Sequence, residues 1–191
     1  MGIEINLMQN YPYSQRDVTG RLESKTNQDR LIAMEFGKEF FDGSRSHGYG
    51  GFSYNSRFWK NVVPDFIQHW QLKKGDSLLD IGCAKGFMLY DLKEYLPNLV
   101  VYGLDISSYA IENSKPEIKN CLINGCASKL PYEDNYFDLV ISINTLHNLF
   151  NYQLFDALNE MERVGKSNKY ICIESYRNEV EKVNLLYWQV T

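Results

Sequence analysis

Leu78-Leu79-Asp80-Ile81-Gly82-Cys83-Ala84-Lys85-Gly86-Phe87 is the stretch whose reading decides the fold. The apolar run before Gly82 is short and stops at a turn signal, which suits a strand buried on both faces. Gly82 and Gly86 let the backbone turn tightly and approach a ligand where a side chain would collide. The residues from Phe87 open a helix whose first N–H groups face the same crevice. Asp80 ends the strand with a carboxylate that accepts hydrogen bonds. Strand, glycine turn and helix in this order describe a crevice for a nucleoside-bearing cofactor. The dinucleotide fingerprint G-x-G-x-x-G needs its third glycine one position beyond Gly86, so the spacing argues against a nicotinamide cofactor. Ala84 stands between the two glycines, and its side chain predicts that no positive φ is needed there.

Downstream residues extend this crevice. The segment 100–107 reads as a second strand ending in Asp105, at the interval where a dinucleotide-fold acid meets a ribose. A carboxylate there accepts both ribose hydroxyls in a fork and rejects a 2′-phosphate. The plainer alternative is a solvated strand-end acid. Ile106 follows it into the crevice, and Ser107 and Ser108 cap a short helix running to Asn113. A further strand over 137–143 delivers Asn144-Thr145-Leu146-His147. Ligands of open α/β sheets lie outside the carboxyl ends of the strands, which brings Asn144 and His147 to the site. His147 is the best general-base candidate, because an imidazole titrates near neutrality; the alternative is that it packs against or caps the next helix.

Together these segments resemble class I S-adenosylmethionine-dependent methyltransferases. The loop is similar to their D-x-G-x-G-x-G signature, with Ala84 replacing the middle glycine. The segment 122–142 resembles their third strand, their G-D-A-x-x-L-P adenine loop and their F-D-x-V fourth strand. The resemblance covers residues 74–175 and, loosely, the region before them. It implies a doubly wound, mostly parallel Rossmann-like sheet flanked by helices. It also implies S-adenosyl-L-methionine as cofactor, S-adenosyl-L-homocysteine as product, and in-line methyl transfer to a small-molecule acceptor. It places Asp80, Gly82, Cys83, Ala84, Gly86, Asp105, Ile106, Cys126, Ala127 and Asn144 around the cofactor. Cys126 stands where many members carry an acid that bonds the adenine amino group; a backbone carbonyl or the Ser128 hydroxyl can substitute. Ala127 leaves room for the flat base. The lid and Glu174-Ser175-Tyr176-Arg177-Asn178-Glu179 resemble bacterial methyltransferases of surface-polysaccharide biosynthesis, which implies a sugar or sugar-nucleotide acceptor.

Residues 1–70 read as a helical lid segment and 71–191 as the cofactor-binding core of a single domain. The first stretch, to about residue 28, is polar and turn-rich. A helix is expected over 29–41, and another over 57–70 bent at Pro64. Between them Gly48, Gly50 and Gly51 surround Tyr49. The family's segment before the first strand folds over the cofactor, and these glycines would be its hinge. Tyr49 would then stack on or hydrogen-bond the methionine end, and Arg57 would pair with its carboxylate. The alternative is a tight turn with packed aromatics. His47 is a weaker base candidate on this loop. The helix 152–164 carries Leu154, Phe155, Leu158 and Met161 as core residues. A fifth strand over 169–175 leads to Tyr176, Arg177 and Asn178 at the crevice end, then to a last helix over 179–188. The family's antiparallel hairpin after that helix is apparently missing. An uncovered strand is a pairing hazard, so the reading expects a homodimer through that edge or a further segment covering it.

Composition sets outer bounds. The 191 residues carry a net charge of −4, with Lys and Arg scattered, which gives no basic footprint for nucleic acid. Cys83, Cys121, Cys126 and Cys172 form no C-x-x-C pair and suggest neither a metal site nor a disulfide framework, but reduced thiols in a cytoplasmic protein. The N-terminus lacks signal-peptide and myristoylation patterns, and no apolar run is long enough for a membrane. Two rival functions stand beside methyl transfer: a non-catalytic S-adenosylmethionine-binding regulatory protein, and a nicotinamide oxidoreductase, against which the glycine spacing speaks.

Overall fold

A computed structural model describes residues 2–12 and 17–190. In chain order the elements are α1 (Val18–Ser24), α2 (Asn27–Met34), α3 (Lys38–Asp42), α4 (Val63–Trp70), β1 (Ser77–Ile81), α5 (Phe87–Tyr95), β2 (Val100–Asp105), α6 (Ser108–Glu112), α7 (Pro116–Lys119), β3 (Leu122–Asn124), β4 (Phe137–Ile143), α8 (Asn151–Val164), β5 (Gly165–Cys172) and α9 (Glu179–Trp188), with a single 3₁₀ turn at Leu146–Asn148. The strands form one five-stranded sheet in the order β3-β2-β1-β4-β5, and every neighbouring pair is parallel.

The continuous apolar strands follow from burial on both faces. Alternate residues serve opposite layers. Leu78, Val101, Leu139 and Ile141 join Val63, Phe66, Met88, Leu89 and Leu92 on the side of α4 and α5. Leu79, Ile81, Leu104 and Val140 join Ala157, Met161 and Val164 on the side of α8. Chain order reverses between β1 and β4, and such a switch point opens a crevice at the carboxyl ends of the strands.

The expected doubly wound α/β sheet is present, with local corrections. The helix expected over 29–41 is two helices, α2 and α3, parted where Phe36 adopts a φ of 49°. The helix expected from residue 57 begins at Val63, and Pro64 lies in its first turn, where a missing N–H costs nothing; it bends nothing. β5 starts at Gly165 and ends at Cys172, several residues earlier than expected. Gly165 permits this direct helix-to-strand turn, since a Cβ there would stand 2.8 Å from Val140 and 3.1 Å from the Met161 carbonyl. Phe155 and Leu158 are not core residues: both are exposed, and α8 packs through Leu154, Ala157, Met161 and Val164. The N-terminal stretch is not wholly loose, because Leu7 is buried in the core and Tyr11 packs edge-on against Trp59 at 5.0 Å; residues 13–16 of it lie outside the described residues.

α9 lies against α1, so Val180, Val183, Leu186 and Tyr187 stay exposed. β5 pairs with β4 alone among the described residues. No helix among them is long and apolar enough to cross a membrane.

Candidate active site

The floor of the crevice is built by the turn after β1. Gly82 and Cys83 donate their N–H groups to the Leu104 carbonyl at 2.7 and 3.2 Å, which staples the turn to β2. Gly82 has a φ of 80°, and a Cβ there would stand 1.9 Å from Thr145 Oγ1. Gly86, with a φ of 70°, lies against Ile118 and Leu122. Ala84 has a φ of 50°, against the expectation from its side chain. Its strained backbone is held by a hydrogen bond, because Ala84 N–H donates to Asp105 Oδ2 at 2.7 Å. The Cys83 thiol points into the core beneath α5, and burial raises it well above its ordinary range.

Asp105 is thus not a solvated strand-end acid. Its other oxygen accepts the Ser107 N–H at 2.8 Å, so it ties the ends of two loops together. Each oxygen keeps a second lone pair for a ligand hydroxyl. Burial raises the Asp105 carboxyl despite those two bonds. Asp80 is only 6% exposed and receives no hydrogen bond among the described residues. Burial, then the neighbouring Asp105 charge, push its carboxyl up to about 7. A buried acid pair of this kind calls for donors or a cation from a ligand.

The opposite wall comes from the ends of β4 and β5. Asn144 adopts a φ of 53° and donates its N–H to the Cys172 carbonyl at 2.8 Å. His147 sits in the 3₁₀ turn, and its Nδ1 is buried without a hydrogen-bond partner. Burial holds the imidazole below its ordinary value, opposed by Glu174, so the ring is neutral at neutral pH. Cys126 and Ala127 follow β3; the Cys126 thiol lies 3.0 Å from Ser128 Oγ, and Ala127 is buried. Ile106 is exposed at the rim, with its carbonyl accepting from Asn124 Nδ2 at 2.8 Å.

Over this floor lies the segment that follows α3. Tyr49 donates its N–H to the Phe40 carbonyl at 2.9 Å and Gly51 to that of Phe41 at 3.0 Å. Gly50 and Gly51 carry φ values of 69° and 112°, and a Cβ on Gly48 would stand 2.2 Å from the Phe40 carbonyl. These glycines therefore serve a tight turn rather than a free hinge. Its aromatics are packed: Tyr49 meets Phe52 at 4.4 Å, and Phe52 stacks on Phe87 at 5.2 Å. Tyr49 leaves 46% of its surface exposed, yet burial at its hydroxyl end pushes that group up to about 12, with Tyr11, Asp105 and Glu174 adding to the rise. The hydroxyl thus lies within electrostatic reach of both crevice walls. Arg57 stacks over Phe58 at 4.6 Å, near Tyr11. His47 is held between Asp29 at 3.0 Å and Glu39 at 3.2 Å, which gives it a structural task.

Sequence reasoning passed over three residues that hold this arrangement. Lys85 is buried inside the glycine turn and pairs with Asp42 at 2.6 Å. Asp42 also accepts Tyr109 Oη at 2.7 Å and the Phe52 N–H at 2.8 Å. Burial opposes its charge, but these donors hold its carboxyl below the ordinary range. Arg163 donates to the carbonyls of Leu130 and Tyr132 at 3.0 and 2.8 Å and pairs with Glu160 at 2.7 Å, which fixes the loop beyond Ala127. The only local signal for any of them was a lysine placed inside a glycine turn.

Comparison with known proteins agrees with this geometry. Residues 72–190 match a family model described as a methyltransferase domain. A demethylmenaquinone methyltransferase of Anoxybacillus flavithermus is 30% identical over 132 residues, covering 65% of this chain and 55% of the relative. An uncharacterized methyltransferase of Schizosaccharomyces pombe is 33% identical over 113 residues, 53% of this chain and 40% of the relative. The chain thus spans about half the length of these curated relatives. A solved structure from Methanococcus maripaludis shares the fold with a TM-score of 0.54 at 18% identity, covering 97% of this chain and 74% of its own. With the glycine turn, the strand-end acids and the switch-point crevice in place, the chain belongs to the class I S-adenosylmethionine-dependent methyltransferase family.

Proposed function

We propose that this chain binds S-adenosyl-L-methionine in the crevice between β1 and β4 and transfers its methyl group to a small-molecule acceptor. The observation that carries the reading is the buried Asp80–Asp105 pair beneath the Gly82–Gly86 turn. Asp105 suits a ribose fork, and the unpartnered Asp80 suits the ammonium of the methionine end. Cys126, Ser128 and Ala127 would border the adenine, while Tyr49 and Arg57 would close over the amino-acid end. The bound cofactor supplies an electrophilic methyl on a sulfonium. The chain's part is alignment and exclusion of water, with the His147 imidazole as the base for a hydroxyl or ammonium acceptor. In this reading residues 1–70 are the lid and 71–191 the core, and the protein works in the cytoplasm.

The test is isothermal titration with S-adenosyl-L-homocysteine, with NAD as control, on wild type and Asp105→Ala. Micromolar binding lost in the variant supports the reading; no binding by wild type overturns it. Labelled methyl transfer into an extract then separates an enzyme from a non-catalytic binder, and labelled sugars among the products would support the sugar acceptor. The β5 edge, unpaired on its outer side among the described residues, supports a homodimer through that strand. Sedimentation showing a concentration-independent monomer would remove that expectation.

A further inference from the structure

The last turn of α9 is received by cations of the lid. Lys25 Nζ donates to the Tyr187 carbonyl at 2.6 Å and also to that of Gln189. Arg30 reaches the Gln189 carbonyl at 3.2 Å, and Arg21 Nε the Trp188 carbonyl at 3.0 Å. Cations at a helix C-terminus satisfy carbonyls that have no partner within the helix and complement its dipole. The other arm of Arg21 donates to the Arg45 carbonyl at 2.5 Å. The Trp188 ring lies beneath two guanidinium groups, Arg21 at 4.9 Å and Arg45 at 5.4 Å. Arg45 in turn donates to the Gly48 carbonyl, next to Tyr49.

These contacts form one mechanical line from the C-terminal helix to the loop over the crevice. Its cations repel one another, and the crowding is felt: burial, then Arg30 and Arg21, bring the Lys25 ammonium down to about 8. Such a cluster holds together only while something negative lies among its members. Among the described residues the face of one indole and the carbonyl end of one helix serve this. Without the indole, Arg45 loses the surface that fixes its guanidinium, and Gly48 loses a donor with a fixed position.

We propose that Trp188 is a positioning residue for the cofactor site, acting through Arg45 to hold the Gly48–Gly51 turn so that Tyr49 closes on the amino-acid end of the cofactor. This rests on the cofactor reading above and extends it to a residue far from the crevice in sequence. It makes α9 part of the lid.

Trp188→Ala, titrated with S-adenosyl-L-homocysteine and separately with adenosine, tests this. Adenosine lacks the amino-acid end, so a positioning role predicts about tenfold weaker S-adenosyl-L-homocysteine binding and adenosine binding within about twofold of wild type. Trp188→Phe keeps a ring face and restores the loss to within about threefold. Arg45→Met, at an exposed position, reproduces the pattern should Trp188→Ala not fold. Equal weakening of both ligands, or no weakening, overturns the proposal while leaving the cofactor site standing. If wild type binds neither ligand, the cofactor reading has failed. Amide exchange over residues 44–52 then decides the mechanical part, with faster exchange in Trp188→Ala expected and unchanged exchange overturning it.

Discussion

The floor of the crevice and the segment over it, the lid of the proposed function, are built on different physics. The floor is local and covalently encoded: glycines with positive φ, a short turn, and acids at the ends of adjacent parallel strands. Strand register then does the rest, since Asp80 stands opposite Gly103 and Ile81 opposite Leu104. The lid is held by side chains that meet across long sequence separations: Asp42 with Lys85 and Tyr109, His47 with Asp29, Trp188 with Arg21 and Arg45. A floor of this kind tolerates little change in backbone. A lid of this kind tolerates single losses and yields in steps, because most of its contacts are partly exposed and replaceable by water, the buried Lys85 being the exception.

The largest expected effect is on the floor. Gly82→Ala sets a Cβ 1.9 Å from Thr145 Oγ1 at a φ of 80°, so both collision and backbone strain oppose it. A loss of about 3 kcal/mol or more is expected, read as a lower melting temperature or failure to fold. Adding Thr145→Gly, which removes the Oγ1, Cγ2 and Cβ that would stand 1.9, 2.3 and 2.5 Å away, relieves only the collision and recovers part of the loss. Full recovery would show that φ imposes nothing there, and the contrast with the lid would weaken.

Asp80 gives the next effect, and its sign is set by burial. Its carboxyl is raised from 3.8 to about 7, so the folded chain holds that proton more tightly than the unfolded chain. The group costs no stability below the unfolded value. The penalty grows as pH rises from about 4 to about 7 and is complete above that. Asp80→Asn removes it. The ligand-free variant should gain on the order of 2 kcal/mol over wild type at pH 8 relative to pH 5, measured by urea unfolding. An equal gain at both pH values would mean that the acid pair is already neutralised by the chain.

Breaking the lid should cost less. Lys85→Met keeps the buried stem and removes the charge facing Asp42, which retains Tyr109 and the Phe52 N–H. The expected loss is about 1 kcal/mol, accompanied by faster amide exchange over residues 42–54. A loss as large as that of Gly82→Ala would place Lys85 with the floor, where its sequence position puts it.

This division explains what could be read from sequence. The strand 137–143, the helix 179–188 and the acids at 80 and 105 were legible because each is a local pattern closed by its own caps or turns. Apart from β5, which leaves α8 directly at Gly165, the boundaries that failed lie in the lid or beside it. Pro64 reads as a bend because periodicity alone does not say where a helix starts. The helix over 29–41 hid a break, since nothing in Phe36 announces a positive φ. Gly48, Gly50 and Gly51 suggested a hinge, because glycines that permit motion and glycines that fit a tight turn have the same composition. Asp42, Arg45 and Trp188 carried no signal at all, for their partners lie elsewhere in the chain.

The smallest effect belongs to Ala84, the floor residue whose side chain argues against the backbone it adopts. Ala84 occupies the left-handed region at a φ of 50°, which costs an L-residue roughly 1–2 kcal/mol against glycine. That cost is offset by the bond from its N–H to Asp105 at 2.7 Å, which glycine would make equally well. Ala84→Gly removes the strain but gives the unfolded chain more freedom to lose. The net expectation is a stabilisation of about 0.5 kcal/mol, seen as a small rise in the urea midpoint with an unchanged slope. A destabilisation of that size would mean that the Ala84 methyl makes a contact worth more than its strain. The strain should also depend on its tether. In an Asp105→Ala background the turn is free to relax, and the advantage of glycine should shrink toward zero. If it persists undiminished, the positive φ is set by the turn alone and Asp105 only records it.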